Sequence, residues 1–326
     1  MSCIENINRY IVPNDIITLL TRVYKYIGKN ETYKNDTKNN INKILEQTIQ
    51  RDAFFLAKII GLDLTDTRLR LLITKNSSPR NREETVLFNI VEILTEIQNL
   101  YSKYNIYSGD QYNLINYIYQ NQNIKFDAKE NINGRSKRLF LDEITDVVYN
   151  NKSNIENIIL LLNYFIDINN IKPFTSKNTL SSFLNLYILL FKAELDIFHY
   201  VSFFETIYNN LTEFNDRLLD VSYNWKEGIS QPTTFIRFML NLFIETYEAA
   251  EKAISNYKAE QSISKGDNIE QTIITLPSVF TKEQIRKFHP YVSESTINRA
   301  LQKLRDENKI KPLGKGRSAK WRKVTF

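Results

Sequence analysis

The sequence predicts a mostly α-helical protein that carries a small α/β module near its C-terminal end. Apolar residues recur at spacings of three and four along most of the chain, which is the pattern of helices with one buried face. Only eight glycines and seven prolines occur among 326 residues, too few for a loop-rich all-β fold. Residues 275–326 depart from this pattern, because short β-like pieces follow two helices there.

Five apolar faces mark the helices of the predicted body. They are formed by Phe54, Phe55, Ile59 and Leu62; by Val86, Ile90, Ile93, Leu94 and Ile97; by Ile158, Leu161, Leu162 and Phe165; by Leu180, Phe183, Leu184, Tyr187 and Leu190; and by Phe235, Phe238, Met239, Leu242 and Ile244. The segment that starts at Gly134 has clustered β-branched residues and a poor helical period, so it is compatible with a short β-hairpin.

Composition excludes several classes of protein. The single cysteine, Cys3, rules out a disulfide framework and a cysteine zinc site, and we expect no metal. The 12% aromatic content argues against disorder. The N-terminal residues lack the apolar core of a signal peptide, and the apolar runs are too short to span a membrane. We expect a cytoplasmic protein with no membrane contact.

Changes in composition along the chain predict four regions. We expect an N-terminal helical region at 1–110, a helical core at 111–255, a linker at 256–274 and a separate module at 275–326. The linker is predicted because the segment is polar and contains Gly266.

The C-terminal module has the clearest local signals. Thr281 and Gln284 form a capping box, and Phe280 with Ile285 fits a hydrophobic staple. A second helix after Ser293 would bury four apolar residues, Ile297, Ala300, Leu301 and Leu304. The pieces "KIKPL" and "AKWRKV" then read as strands that the turn "GKGRS" joins. This arrangement resembles a winged helix-turn-helix domain.

Charge points to a polyanion partner for this module. From Thr281 onward, thirteen lysines and arginines stand against four acidic residues, a net charge of +9 in a chain whose total is +6. The resemblance implies that the second helix contacts bases and the hairpin contacts phosphates of DNA. The candidate residues are Ser295, Asn298, Arg299 and Gln302 on the helix, and Lys315, Arg317, Lys320, Arg322 and Lys323 on the hairpin. In the alternative, the module is a dimerisation or docking unit whose basic face is only solvated.

A loop between two strongly apolar helices is the second candidate site. It contains Lys172, Pro173 and Phe174, with Asn178 four residues later. Read by itself, it is a helix–helix connection in which proline fixes the turn and Asn178 or Thr179 caps the next helix.

The loop and its flanking helices also resemble the core of the Fic family, over about residues 50–255. Members mostly transfer AMP from ATP to a hydroxyl of a target protein. Their motif is His-Pro-Phe-x-Asp/Glu-Gly-Asn-Gly-Arg-x-x-Arg, in which the histidine is the base and the acid holds the metal. The glycines let backbone N–H groups approach phosphate, and the arginines neutralise its charge.

This sequence departs from that motif at the positions that carry the chemistry. Pro173, Phe174 and Asn178 are kept. Lys172 stands in place of the histidine, Ser176 of the acid, Lys177 and Thr179 of the glycines, and Leu180 and Phe183 of the arginines. The two histidines, His199 and His289, lie elsewhere in the sequence, and we interpret His199 as a helix-surface or capping residue. We interpret Lys172 as a solvated loop lysine.

The sequence therefore predicts a catalytically degenerate Fic-like protein that acts as a binding or regulatory protein and contacts DNA through its C-terminal module. Its core would bind a second copy or a protein partner, and no cofactor is expected. The alternative is an active Fic-type adenylyltransferase with a rebuilt site, in which ATP and Mg²⁺ bind and Lys172, Lys177 and Asn178 hold phosphates. In a third hypothesis, the chain restrains an active Fic enzyme through pairing of like cores.

Overall fold

The computed structural model describes residues 2–9, 11–38, 40–75, 77–120, 122–151, 154–262, 265–289, 292–314 and 320–324. The chain divides into two compact units, Met1–Ala250 and Glu251–Phe326. Among the residues described, no helix has the length and apolar character needed to cross a membrane.

The first unit is built almost entirely of helices. They are α1 (Asn14–Ile27), α2 (Asn30–Thr37), α3 (Ile41–Ile59), α4 (Asp66–Lys75), α5 (Arg82–Leu100), α6 (Ser108–Ile118), α7 (Lys137–Tyr149), α8 (Asn157–Ile171), α9 (Asn178–Lys192), α10 (Phe203–Asn209), α11 (Leu211–Ser222) and α12 (Thr233–Ser262), of which the residues from Glu251 onward belong to the second unit. Polar side chains cap several N-termini by accepting backbone N–H bonds, namely Asn81 for α5, Ser136 for α7, Glu156 for α8 and Ser202 for α10.

The helices α8 and α9 form the centre of this unit and pack against each other. Both are apolar on nearly all sides, which is the pattern of helices enclosed by others. Phe165 of α8 lies 5.8 Å from Phe183 of α9, measured between ring centroids. Phe214 of α11 and Phe235 of α12 contact the same cluster at 5.9 Å from Phe165. The loop between α8 and α9 is therefore held by a rigid core.

A carboxylate on α3 ties that helix to the helices around α9. Asp52 is fully buried and accepts hydrogen bonds from the Tyr187 hydroxyl (2.5 Å), the Ser202 hydroxyl (2.6 Å) and the Phe204 N–H (3.1 Å). Burial raises the pKa of Asp52 to about 7, although these hydrogen bonds act in the opposite direction.

A second buried carboxylate holds the N-terminal segment against α8. Asp167 accepts hydrogen bonds from the N–H groups of Cys3 (2.7 Å) and Ile4 (2.9 Å) and from the Trp225 indole (2.7 Å). Burial raises the pKa of Asp167 to about 6. The two carboxylates fix the helices that carry the loop.

A short β-hairpin precedes α7. Its strands are β1 (Asn131–Ile132) and β2 (Arg135–Ser136), and Asn133 and Gly134 form its turn with φ values of 50° and 76°. The predicted hairpin exists, but the β-branched residues that suggested it lie in α7. They are helical because Phe140, Leu141 and Ile144 of α7 bury one face.

The second unit is a small α/β structure. It contains α13 (Lys265–Thr275), β3 (Val279–Thr281), α14 (Lys282–Phe288), α15 (Glu294–Asp306), β4 (Ile310–Pro312) and β5 (Lys320–Lys323). The strands form an antiparallel sheet in the order β3-β5-β4. Helices and sheet share one core of Ile269, Ile273, Leu276, Phe280, Ile285, Ile297, Ala300, Leu301, Leu304, Ile310 and Trp321.

The predicted linker at 256–274 is wrong for most of its length. The helix α12 continues to Ser262, and α13 belongs to the core of the second unit. The physical reason is the spacing of Ile269, Ile273 and Leu276, which all become buried although the surrounding residues are polar. The predicted regions 1–110 and 111–255 lie in the first unit, apart from the last few residues of the latter.

Candidate functional site

The loop between α8 and α9 has an unusual backbone for its sequence. Lys172, which follows α8, and Lys177, which precedes α9, adopt left-handed conformations with φ values of 48° and 63°. Such conformations suit glycine and cost other residues about 1–2 kcal/mol. In the alignment with the Fic motif, Lys177 takes the place of the first glycine, and its left-handed backbone is a conformation that suits glycine.

The side chain of Asn178 closes this loop. Its Oδ1 accepts a hydrogen bond from the Phe174 N–H (3.0 Å), and its Nδ2 donates to the Phe174 carbonyl (2.8 Å). The residue thus contributes to the shape of the loop and opens α9 as its first residue. The predicted cap at Asn178 or Thr179 is displaced by one residue, because Lys177 is the N-cap and makes no side-chain capping bond.

The loop is also paired with the chain segment before the hairpin. Phe126 and Phe174 form an antiparallel bridge, with hydrogen bonds from the Asp127 N–H to the Pro173 carbonyl (2.8 Å) and from the Thr175 N–H to the Lys125 carbonyl (2.9 Å). The rings of Phe126 and Phe174 are 5.4 Å apart. Phe174 is therefore buried, and the two retained residues Pro173 and Phe174 serve packing.

The exposed part of the loop includes three positions of the motif. Lys172, Ser176 and Lys177 are exposed. The Lys177 ammonium lies 4.6 Å from the centre of the Tyr119 ring, a cation–π contact. The exposed position of Lys172 agrees with its interpretation as a solvated loop lysine. No group of three or more histidine, cysteine, aspartate or glutamate side chains forms a metal site among the residues described.

A polar cavity of about 180 Å³ lies beside the hairpin. It is lined by Glu130, Asn131, Ile132, Asn133, Lys137, Asn170 and Lys226. Lys137 is buried and forms ion pairs with Asp127 (2.7 Å) and Glu130 (3.2 Å). Burial lowers the pKa of Lys137, but its acidic partners outweigh burial and raise it above the ordinary value. The ammonium is thus already neutralised within the chain.

Each of the two histidines has its own partners within its unit. The His199 Nδ1 is 2.6 Å from the Gln98 Oε1, and its ring stacks on Phe191 with centroids 4.6 Å apart. Burial lowers the pKa of His199 to about 4. The predicted surface or capping role of His199 is wrong, because this ring is packed and half-buried. His289 is buried in the second unit, with Nε2 2.5 Å from the Thr272 hydroxyl.

The second candidate site is the exposed face of α15. The capping box of Thr281 and Gln284 is confirmed, and Ser293 caps α15 as predicted. The predicted buried face of α15 is also confirmed. Its opposite face presents four exposed side chains, those of Ser295, Asn298, Arg299 and Gln302.

The cationic residues predicted on the hairpin of this unit differ in their surroundings. Lys320 and Arg322 are exposed. The Lys323 ammonium donates hydrogen bonds to the carbonyls of Ile274 (2.8 Å) and Leu276 at the end of α13. Lys323 therefore caps a helix inside the unit, and its predicted phosphate contact stays a prediction. Lys315 and Arg317 lie outside the residues that the structure describes.

The helical unit with its hairpin, followed by the small α/β unit, defines a mostly α-helical protein with a Fic-like fold. The comparison is with the crystal structure of a Fic family protein from Desulfovibrio desulfuricans G20, to which this chain is 14% identical. The match covers 97% of each chain with a TM-score of 0.56. At this identity the similarity defines the fold alone. No model of a protein family and no curated protein matches the sequence.

Proposed function

We propose that the chain is a non-catalytic binding protein on a Fic-like scaffold, and that its second unit is a winged helix that binds DNA through α15. The exposed face of α15 carries this proposal. Asn298, Arg299 and Gln302 make no hydrogen bond or ion pair with another described residue, and all three are side chains that read base edges. Polar groups held outward on a rigid helix are available to a ligand.

The topology of the second unit supports a winged helix. A helix, a strand, two helices and two antiparallel strands follow one another, and the first strand pairs with the last. In the helix-turn-helix class, the second helix of the motif enters the major groove. That position corresponds to α15, which begins just after α14 and the turn at Ser293.

Fluorescence anisotropy with duplex DNA tests this part of the proposal. Affinity should fall steeply with salt because phosphate contacts release counterions. Arg299→Ala should weaken binding to a preferred sequence by about 1–3 kcal/mol. Arg305→Ala is the matched control, because Arg305 lies on the same helix but pairs with Asp306 at 2.9 Å. Absent or salt-independent binding would contradict the proposal.

The loop between α8 and α9 supports the proposal that the chain is not a catalyst. The exposed Lys172 stands where the resemblance implies a base, and Lys177, which the alternative would use to hold phosphate, stacks on Tyr119. Thermal-shift titrations with ATP, with and without Mg²⁺, separate this proposal from a rebuilt adenylyltransferase. We expect no Mg²⁺-dependent shift. A ligand at a hundred times its Kd would stabilise the fold by roughly 2.7 kcal/mol, and such a shift would favour the enzyme.

The scaffold unit would then bind a protein, either a second copy of this chain or another partner. Sedimentation velocity of the purified chain over a range of concentrations tests the second copy. If the chain is monomeric at every concentration, the second copy is excluded, and the partner of the scaffold must be another protein.

A further inference from the structure

A polar cavity of about 440 Å³ lies at the N-terminus of α5 in the first unit. Its walls come from the turn between α4 and α5, from the first turn of α5, and from the end of α6 with the residues that follow it. A volume of this size suits a small molecule. The described residues that line the cavity include none of the loop at 172–178, so the cavity is not part of that loop.

Two arginines give this cavity a positive charge. Arg80 and Arg82 both line it and are exposed. The side chain of neither forms an ion pair or a hydrogen bond with another residue that the structure describes. The nearby carboxylate of Glu84 is already engaged, because it accepts hydrogen bonds from the Arg68 guanidinium (2.7 and 2.6 Å) and from the Arg80 N–H (2.7 Å). The two guanidinium groups at the cavity are therefore available to a ligand.

The first turn of α5 adds backbone donors. The side chain of Asn81 accepts the N–H bond of Glu84 (2.9 Å) and so occupies one of the donors at this end of the helix. The N–H groups of Arg82 and Glu83 bond to no other residue that the structure describes. Free N–H groups and the positive end of the dipole of this 19-residue helix both favour an anion.

A tyrosine supplies an independent sign of a ligand. Tyr119 lines the cavity and is only 4% exposed, yet its hydroxyl bonds to no other residue that the structure describes. Burial raises the pKa of Tyr119 to about 12, and the neighbouring Glu83 acts in the same direction. The hydroxyl is therefore protonated at neutral pH. Polar groups on buried side chains are normally hydrogen-bonded, and a ligand in the cavity would supply the partner.

We propose that this cavity binds the phosphomonoester of a small polar molecule, whose phosphate group is held by Arg80, Arg82 and the N-terminus of α5. Guanidinium groups bind phosphate oxygens through charge-assisted hydrogen bonds. The Tyr119 hydroxyl donates to an oxygen of the same ligand. The amides of Gln120 and Gln122 also line the cavity, bond to no other described residue and suit the hydroxyl groups of a sugar. The ligand class is therefore that of sugar phosphates.

The composition of the cavity separates this site from a nucleotide site of the enzyme alternative. The described residues that line it include no aspartate or glutamate, the side chains that hold Mg²⁺ beside a phosphate. Binding should therefore be independent of Mg²⁺, whereas the enzyme would bind ATP together with the metal. The inference rests neither on the DNA contact proposed for α15 nor on the loss of catalysis, so its failure leaves both untouched.

Isothermal titration calorimetry of the full chain in EDTA tests the site. The probes are glycerol 3-phosphate, ribose 5-phosphate and glucose 6-phosphate, with glucose and inorganic phosphate titrated separately. Arg82→Ala removes one guanidinium group from the cavity. Lys103→Ala is the matched control, because it removes the same charge from an exposed position beyond the other end of α5. A helix of this length spans about 28 Å.

At least one phosphomonoester should bind without Mg²⁺, and more tightly than glucose or inorganic phosphate. Arg82→Ala should raise its Kd about tenfold or more, because a hydrogen bond to a charged group is lost. Lys103→Ala should leave the Kd within about twofold. Absence of binding by all three probes, or an equal loss in the two variants, overturns the inference. Inorganic phosphate that binds as tightly as the best probe also overturns it, because the site would then be one for free phosphate.

Tyr119→Phe separates binding from folding. The hydroxyl has no partner among the described residues, so its removal should leave the melting temperature unchanged. The Kd of the best probe should rise about 2–10-fold, because the ligand loses one neutral hydrogen bond. A tyrosine that serves only the packing of the first unit predicts an unchanged Kd, and that result would overturn the inference.

Discussion

The polar side chains that mark the first unit's core and loop differ in orientation from those on the exposed face of α15. In the first unit, Asp52, Asp167 and Asn178 point inward and bond to groups of the same chain. In the second, Asn298 and Arg299 point outward and bond to no other described residue. A polar group turned inward stabilises one fold, whereas one held outward is available to a partner. This difference agrees with a structural role for Asn178 in the loop and with the binding role proposed for the second unit.

Asp52→Ala gives the largest effect expected from this comparison. The substitution removes the carboxylate that accepts hydrogen bonds from Tyr187, Ser202 and Phe204. These three donors then remain buried without an acceptor at this position. Each such donor costs about 1–3 kcal/mol, so the free energy of unfolding in urea should fall by roughly 3 kcal/mol or more. Asp63 is exposed and provides the control, because Asp63→Ala should change the free energy of unfolding by no more than about 0.5 kcal/mol. A loss below about 1 kcal/mol for Asp52→Ala would contradict a structural role.

The pH dependence of stability tests the raised pKa of the Asp52 carboxyl group. Burial raises the pKa of Asp52 from 3.8 to about 7 in the folded chain. Between these values the folded state binds more protons than the unfolded state, so this group makes the free energy of unfolding decrease as pH rises from about 4 to 7. Asp167 acts in the same direction. In urea unfolding measured at several pH values, Asp52→Asn should make the free energy of unfolding decrease less steeply with pH. An unaltered dependence on pH would contradict the raised pKa of Asp52.

Local patterns predicted a large part of this structure. The apolar faces of the helices, the capping box at Thr281, the cap at Ser293 and the exposed face of α15 all depend on residues within a few positions of one another. Short-range spacing and capping chemistry suffice for such features. The part of the candidate DNA site that lies on α15 could be predicted for the same reason.

Contacts between distant parts of the chain could not be predicted. Asp52 meets Ser202 across 150 positions, and Asp167 meets Cys3 across 164, so no local pattern reveals either pair. Lys323 looked like any cation of the basic module, yet its hydrogen bonds go to the end of α13. The helix α13 was not predicted, because the polar composition of its segment indicated a linker. The spacing of Ile269, Ile273 and Leu276 was the signal that could have identified it.

Asn178→Ala should have the next largest effect. Its side chain makes two hydrogen bonds to the backbone of Phe174 and closes the loop. Their loss should lower the free energy of unfolding by about 2 kcal/mol, because a part-buried N–H and carbonyl lose their partner. Ser176→Ala, at an exposed position in the same loop, should leave stability within about 0.5 kcal/mol. Equal stability of the two variants would show that the retained asparagine is not structural.

The smallest expected effect is the difference in stability between two substitutions at Lys177. Both Lys177→Gly and Lys177→Ala remove the cation–π contact with Tyr119, so that loss cancels between them. Only glycine adopts the left-handed backbone at φ 63° without strain. The glycine variant should therefore be more stable than the alanine variant by about 1 kcal/mol in urea unfolding. If alanine is equally stable, the loop has relaxed away from the left-handed turn at this position, and the hydrogen bonds of Asn178 would then hold the shape of the loop.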